Sequence, residues 1–185
     1  SGGVSSSFDG SINDGAGVVG LAKIGTGTQV LTSVHAYNGG TSIEAGHLIF
    51  NGILNGTGSV LVASGSTLGG TGQISGGVVN LGTVSPGDTT GMFVVGGYTQ
   101  ATGARLSIEI GGTSYDQLVS SAPVALDGTL TVTLVNGYTG VVGDTFLIMA
   151  GGGISGTFSA TNLPAVVGAR WLVNYDGATV MLSIT

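Results

Sequence analysis

The sequence predicts an all-β chain that winds as a β-solenoid and closes at its C-terminal end with a β-hairpin. Three observations carry this expectation. Apolar and polar residues alternate in many short runs, the period of a half-buried strand. Turn dipeptides built on Gly separate those runs. Related phrases return about every 20 residues, at the short end of the solenoid range.

The predicted strands begin with Ser59-Val60-Leu61-Val62 and continue through Leu106-Ser107-Ile108-Glu109-Ile110 and Leu130-Thr131-Val132-Thr133-Leu134-Val135. Val180-Met181-Leu182-Ser183-Ile184 is the last. Their Val, Ile, Leu and Thr suit a pleated, half-buried surface. Apolar residues at helical spacing do not persist over a dozen Gly-free positions anywhere in the chain. The turns are Asn38-Gly39-Gly40, Asn51-Gly52, Asn55-Gly56, Asp127-Gly128, Asn136-Gly137 and Asp176-Gly177. Asn, Asp and Gly tolerate the positive φ that tight turns need. The recurring phrases are Ala45-Gly46-His47-Leu48-Ile49-Phe50-Asn51-Gly52, Ser64-Gly65-Ser66-Thr67-Leu68-Gly69-Gly70 and Val79-Asn80-Leu81-Gly82-Thr83-Val84-Ser85-Pro86-Gly87. One such unit cannot bury its apolar face alone, whereas stacked coils share a core. Coils of about 20–25 residues make on the order of eight in this chain. At about 4.8 Å per strand they form a rod roughly 40 Å long. From Ala104 the strands lengthen, and Arg170 to Leu182 reads as a hairpin turning at Asp176-Gly177. Residues 1–103 are therefore expected to be repeat coils, with 104–185 as terminal coils and cap in the same single domain.

Composition narrows the function classes. Gly contributes 38 of 185 residues without a three-residue period, which excludes collagen. Hydrophobic residues make up 42%, too many for a disordered chain. Charged residues are only 6% and the net charge is −6. Lys23, Arg105 and Arg170 are the only cations besides two histidines, so a nucleic-acid footprint and a polybasic membrane patch are both excluded. Cys is absent, so stability must come from burial and ladder hydrogen bonds rather than disulfides. Ser1-Gly2-Gly3 has neither the basic nor the apolar region of a signal peptide. The longest apolar tract, Val141 to Ile154, is interrupted by Gly143, Asp144 and Gly151 to Gly153, so no membrane-spanning helix is expected.

Chemistry-bearing constellations are few. The Gly-x-Ser-x-Gly elbow does not occur, and a Ser triad would have to use His35 or His47, both read as rung side chains. Two histidines without Cys make a poor zinc set. Asp88, Asp116, Asp127 and Asp144 are scattered, mostly beside turn glycines, unlike the paired carboxylates of a glycosidase. No catalytic residue and no organic cofactor is therefore expected. The one metal candidate is calcium at Asp9, Ser11, Asn13 and Asp14, with oxygen ligands at near-alternate positions. There Gly15 comes one place too late, and no bidentate Glu follows as in a calcium loop. Asn55-Gly56-Thr57 matches a glycosylation sequon. Tyr37, Tyr98, Tyr115, Tyr138 and Trp171 could stack on sugars, but packing is the expected role.

The chain resembles the C-terminal passenger region of bacterial autotransporters, an associated β-strand repeat followed by an autochaperone-like segment. Gly20-Leu21-Ala22-Lys23-Ile24-Gly25-Thr26-Gly27-Thr28-Gln29-Val30-Leu31 and Tyr37 to Leu48 carry the repeat part of this resemblance. Leu68-Gly69-Gly70-Thr71-Gly72, Ser85-Pro86-Gly87, Tyr98-Thr99-Gln100, Tyr115-Asp116-Gln117-Leu118, Gly128-Thr129-Leu130 and Gly156-Thr157-Phe158 carry the second part. The resemblance implies a right-handed parallel β-helix, exported to the outer surface or beyond, whose C-terminal part folds first. That family's membrane β-barrel would follow the cap, and the 185 residues do not include one. The expectation is a processed piece or a stand-alone relative that reaches the surface another way. Three functions follow as expectations. A non-catalytic structural stem comes first, and its charge-free start, Ser1 to Phe8, would allow stacking onto another copy head to tail. An adhesin or carbohydrate-binding module contacting surface proteins or glycans is the alternative, and a polysaccharide-degrading enzyme the third.

Overall fold

A computed structural model describes residues 3–185. Of the charge-free start, Ser1 and Gly2 lie outside the described residues. The described chain is all-β with no helix, and its strands form two largely parallel sheets. The eight-stranded sheet stacks Ser5–Phe8, Thr28–Leu31, His47–Phe50, Thr67–Gly70, Thr83–Pro86, Arg105–Ile110, Thr129–Leu134 and Ala160–Asn162, all parallel. Eight strands agree with the coil number the repeats imply. The thirteen-stranded sheet runs from Leu21–Lys23 through Thr41–Ile43, Val60–Val62, Gln73–Asn80, Met92–Gln100, Gln117–Ser120 and Thr145–Ala150. It ends on the antiparallel pair Thr179–Ile184 and Trp171–Tyr175, with four shorter strands beside this path.

The four strands read from the sequence are all present, and alternation explains their faces. In Arg105–Ile110, Leu106, Ile108 and Ile110 are buried while Arg105 is exposed. Parallel register then places like upon like. Leu48, Leu68, Val84, Leu106 and Leu130 form one continuous column inside the eight-stranded sheet. Each leucine in that column is fully buried, worth roughly 2–3 kcal/mol of transfer free energy. The ladder crosses from Val84 to Leu106, so residues on both sides of position 104 share it.

The facing column of the second sheet reads Lys23, Ile43, Val62, Asn80, Gln100. Its polar members satisfy backbone groups where the chain bends from one sheet to the other. The Lys23 ammonium donates to the carbonyls of Ile24, Gly25 and Ala45. Asn80 Nδ2 donates to the Arg105 carbonyl at 2.9 Å and to Tyr98 Oη at 3.0 Å. Tyr98 Oη donates to Gln100 Oε1 at 2.6 Å, and Gln100 Nε2 donates to the Asp127 carbonyl at 2.7 Å. Burial holds the Tyr98 hydroxyl far above its usual range, against the pull of the Asn80 donor. Tyr98→Phe leaves Gln100 Oε1 without its buried donor, an expected loss of about 1–3 kcal/mol. A urea midpoint unchanged from the parent would contradict it.

Asn38-Gly39, Asn51-Gly52 and Asn55-Gly56 act differently from the expected turns. Gly39, Gly52 and Gly56 do not take positive φ; Gly40, Gly128, Gly137 and Gly177 do. Gly56 is required because the neighbouring rung passes too close, a Cβ there lying 1.7 Å from the Tyr37 carbonyl oxygen. Asn38 and Asn51 bind the next rung instead. Asn38 Oδ1 accepts from Thr57 N, 19 residues on, and Asn51 Oδ1 from Thr71 N, 20 residues on. Asp14 Oδ2 does the same for Asn38 N and Nδ2.

The C-terminal hairpin turns where the sequence places it. Asp176 Oδ1 accepts from Ala178 N and Thr179 N, and Gly177 has φ 85°. The hairpin lies antiparallel along Thr145–Ala150 and so ends the parallel stacking of that sheet.

Candidate functional site

The calcium candidates fall on the first rung. Asn13 bridges Ala36 in parallel, and Asp14 N donates to the Ala36 carbonyl, so these two residues are tied to the next rung. The two carboxylates answer different neighbours. Asp9 Oδ1 accepts from Thr32 Oγ1 and Ser7 Oγ, whereas Asp14 accepts from Val19 N and Asn38. These bonds, led by Thr32 for Asp9 and Val19 for Asp14, hold both carboxyls below the usual range. Ser11 is exposed on the same rung.

The histidines are apart in role. His35 is fully buried against Phe8, Tyr37 and Phe50, and its Nδ1 accepts from Ile12 N at 3.1 Å. Burial depresses its pKa. His47 is exposed and stacks in register between Thr28 and Thr67. Among the described residues, no three His, Cys, Asp or Glu converge as a metal would require.

Of the scattered carboxylates, Asp88 accepts from Asn51 and Asp127 from Thr102 and Gly128 N, both at the surface. Asp116 is different. It is fully buried, its Oδ1 accepting from Gly91 N at 2.9 Å and its Oδ2 from Glu109 N at 2.8 Å. Burial pushes its carboxyl up to about 7 against the pull of those two donors, and the Glu109 charge adds to the rise. The folded chain therefore holds this proton where an unfolded Asp has lost it. Its contribution to stability is full below about pH 4 and lost as pH rises through about 7. The slope is at most about 1.4 kcal/mol per pH unit. Asp116→Asn should lower stability throughout and flatten the urea midpoint between those pH values relative to the parent. Parallel profiles for the two proteins would contradict the assignment.

Tyr37 and Tyr98 are core residues. Tyr115 and Tyr138 are not fully buried, and with Asp144 they line one cleft of ≈580 Å³. Two turns position it. Gly111 N donates to the Ser114 carbonyl, with Gly112 at φ 85°, which brings Tyr115 back beside Ile110. Asn136 and Gly137, at φ 55° and 74°, reverse the chain after Thr129–Leu134 and deliver Tyr138. The Asp144 carboxylate closes that loop, its Oδ2 accepting from Val141 N at 3.0 Å and from the Tyr138 hydroxyl. Burial, then the bond and charge of Asp144, push the Tyr138 hydroxyl up to about 12.

Phe146 is the buried floor, with ring centroids 5.3 Å from Tyr115 and 6.0 Å from Tyr138, both near perpendicular. Trp171 packs on it at 6.0 Å. No Lys, Arg or His lines the cleft. The arrangement offers aromatic walls and a carboxylate, which accepts hydrogen bonds when ionised. Sequence reasoning missed Phe146 and the Gly111–Thr113 wall. The available signal was Asn136-Gly137-Tyr138, a turn that places an aromatic on a loop.

No protein-family model matches the chain, and no curated protein matches it.

Proposed function

We propose that this chain is a non-catalytic structural stem, a right-handed parallel β-helix of an exported bacterial surface protein similar to autotransporter passengers. The observation that carries the reading is the difference between its two ends. At the C-terminal end, an antiparallel hairpin ends the parallel stacking of the larger sheet. At the other end, Ser5–Phe8 and Leu21–Lys23 are the outermost strands of their sheets among the described residues. Between them a cavity of ≈340 Å³ opens onto Phe8, Ile12, Leu21, Leu31 and Leu48.

Unpaired parallel edges beside uncovered core side chains template further pairing. Ser5–Phe8 carries no charge that would block it. At the C-terminal end Ala160–Asn162 and Trp171–Tyr175 are likewise the outermost strands of their sheets among the described residues. A second copy stacked head to tail therefore sets edge against edge and covers the cavity, and the repeated contact builds a filament. The hairpin half of the chain is the folding nucleus in this reading.

Negative-stain electron microscopy near neutral pH tests the assembly. Regular filaments are expected for the parent chain, with single rods about 40 Å long for Ser5→Lys combined with Leu21→Lys, which charges both edges. Single rods from the parent, or filaments from the charged variant, would overturn stacking through this end.

A further inference from the structure

From the cleft beside the Asn136-Gly137 loop, we infer a binding site for a neutral saccharide unit. This inference does not rest on the stem reading, and three features of the cleft select the ligand.

The first is size and shape. At ≈580 Å³, the cleft is the right order for a small ligand and larger than the N-terminal cavity. Phe146 forms its floor, and Tyr115 and Tyr138 each stand near perpendicular to it. An apolar ring face laid against these tyrosines gains contact at low entropic cost, since each tyrosine has two rotatable side-chain angles.

The second is polarity. Both bonds to the Asp144 carboxylate fall on Oδ2, and among the described residues Oδ1 accepts none. An ionised carboxylate only accepts, so the ligand must bring donors. Sugar hydroxyls do so. The absence of any cation in the lining, next to this carboxylate, rejects anionic ligands such as phosphates and uronic acids.

The third is preorganisation. Asp144 ties together Tyr138 and Val141, and its own N–H donates to the Val141 carbonyl. Ile184 N, from the closing hairpin, donates to the Asp144 carbonyl at 3.0 Å. The loop is thus held by the cap before any ligand arrives, which removes ordering cost from binding.

Trp171, 6.0 Å from Phe146, is the only tryptophan and reports on the cleft. The experiment titrates the chain with neutral oligosaccharides (β-glucan, α-mannan and β-galactan fragments), with galacturonic acid oligomers, and with tetramethylammonium, following Trp fluorescence and calorimetry. At least one neutral oligosaccharide is expected to bind below about 10 mM. Tyr115→Ala and Asp144→Asn should each weaken it about tenfold or more. Asp88→Asn, on a different surface turn, should leave it unchanged. Thermal unfolding of each variant separates lost binding from lost folding, and Tyr138→Phe keeps the ring while removing the hydroxyl that holds Asp144. The inference is overturned by no neutral binding up to that concentration, or by binding that survives Tyr115→Ala. It is equally overturned by preference for the uronic acid or the ammonium ion.

Discussion

Leu130→Asp is expected to leave the chain without a cooperative unfolding transition. Leu130 is fully buried at the end of the leucine column, in register between Leu106 and Thr161. A carboxylate there loses the leucine's transfer free energy and must be desolvated with no cation beside it, several kcal/mol in all. That is a large share of the roughly 5–15 kcal/mol by which domains are stable. In a stacked protein, however, such damage can stay local, because each rung contacts only its neighbours. The extent of the loss therefore tests whether residues 104–185 nucleate folding. If they do, amide exchange protection disappears throughout, Thr41–Ile43 and Val60–Val62 included. Protection retained in those strands would sink nucleation while leaving the stem reading in place. A milder pair sharpens the same point. Leu68→Ala and Leu130→Ala each remove a fully buried leucine from one column, for about 3 kcal/mol. Nucleation predicts that Leu130→Ala acts mainly by slowing refolding and Leu68→Ala mainly by speeding unfolding.

Gly96→Ala is expected to cost about 3 kcal/mol while its neighbour Gly97→Ala costs nothing measurable or stabilises slightly. Both glycines lie in Met92–Gln100 and neither takes positive φ, so local conformation does not distinguish them. Their surroundings do. A Cβ on Gly96 would lie 1.9 Å from the Ser75 carbonyl oxygen, a backbone atom of the preceding rung that cannot rotate away. On Gly97 the nearest atom is 3.7 Å off, an ordinary contact. Paired urea melts of the two variants decide it, and equal midpoints would mean that the rungs separate more easily than their ladders imply.

The same two glycines show how far the sequence could be read. Alternation in Leu106 to Ile110 and Leu130 to Val135 located strands, because facing is a local property with period two. The hairpin at Asp176-Gly177 was legible for a similar reason, since an Asp side chain hydrogen-bonding its own turn needs only neighbours in sequence. Asn51-Gly52 and Asn55-Gly56 misled, because Asn51 bridges to the next rung and Gly56 is required by the close approach of a neighbouring one rather than by a turn. Their meaning depends on what lies one coil away, and that distance is not constant. The register column Thr28, His47, Thr67, Thr83, Arg105, Thr129, Ala160 steps unevenly along the chain, most widely across the loop that carries Tyr138.

By itself, then, the sequence determined the all-β class, the strands with the cleanest alternation, the closing hairpin and the lack of a basic surface. Only the tertiary structure decided which carbonyls Lys23, Asn80 and Gln100 satisfy, which glycines are sterically required, and that Tyr115, Tyr138, Asp144 and Phe146 share a cleft. The first set follows from forces between residues adjacent in sequence. The second follows from the register between coils, which is set by how many residues each loop spends before the next strand begins.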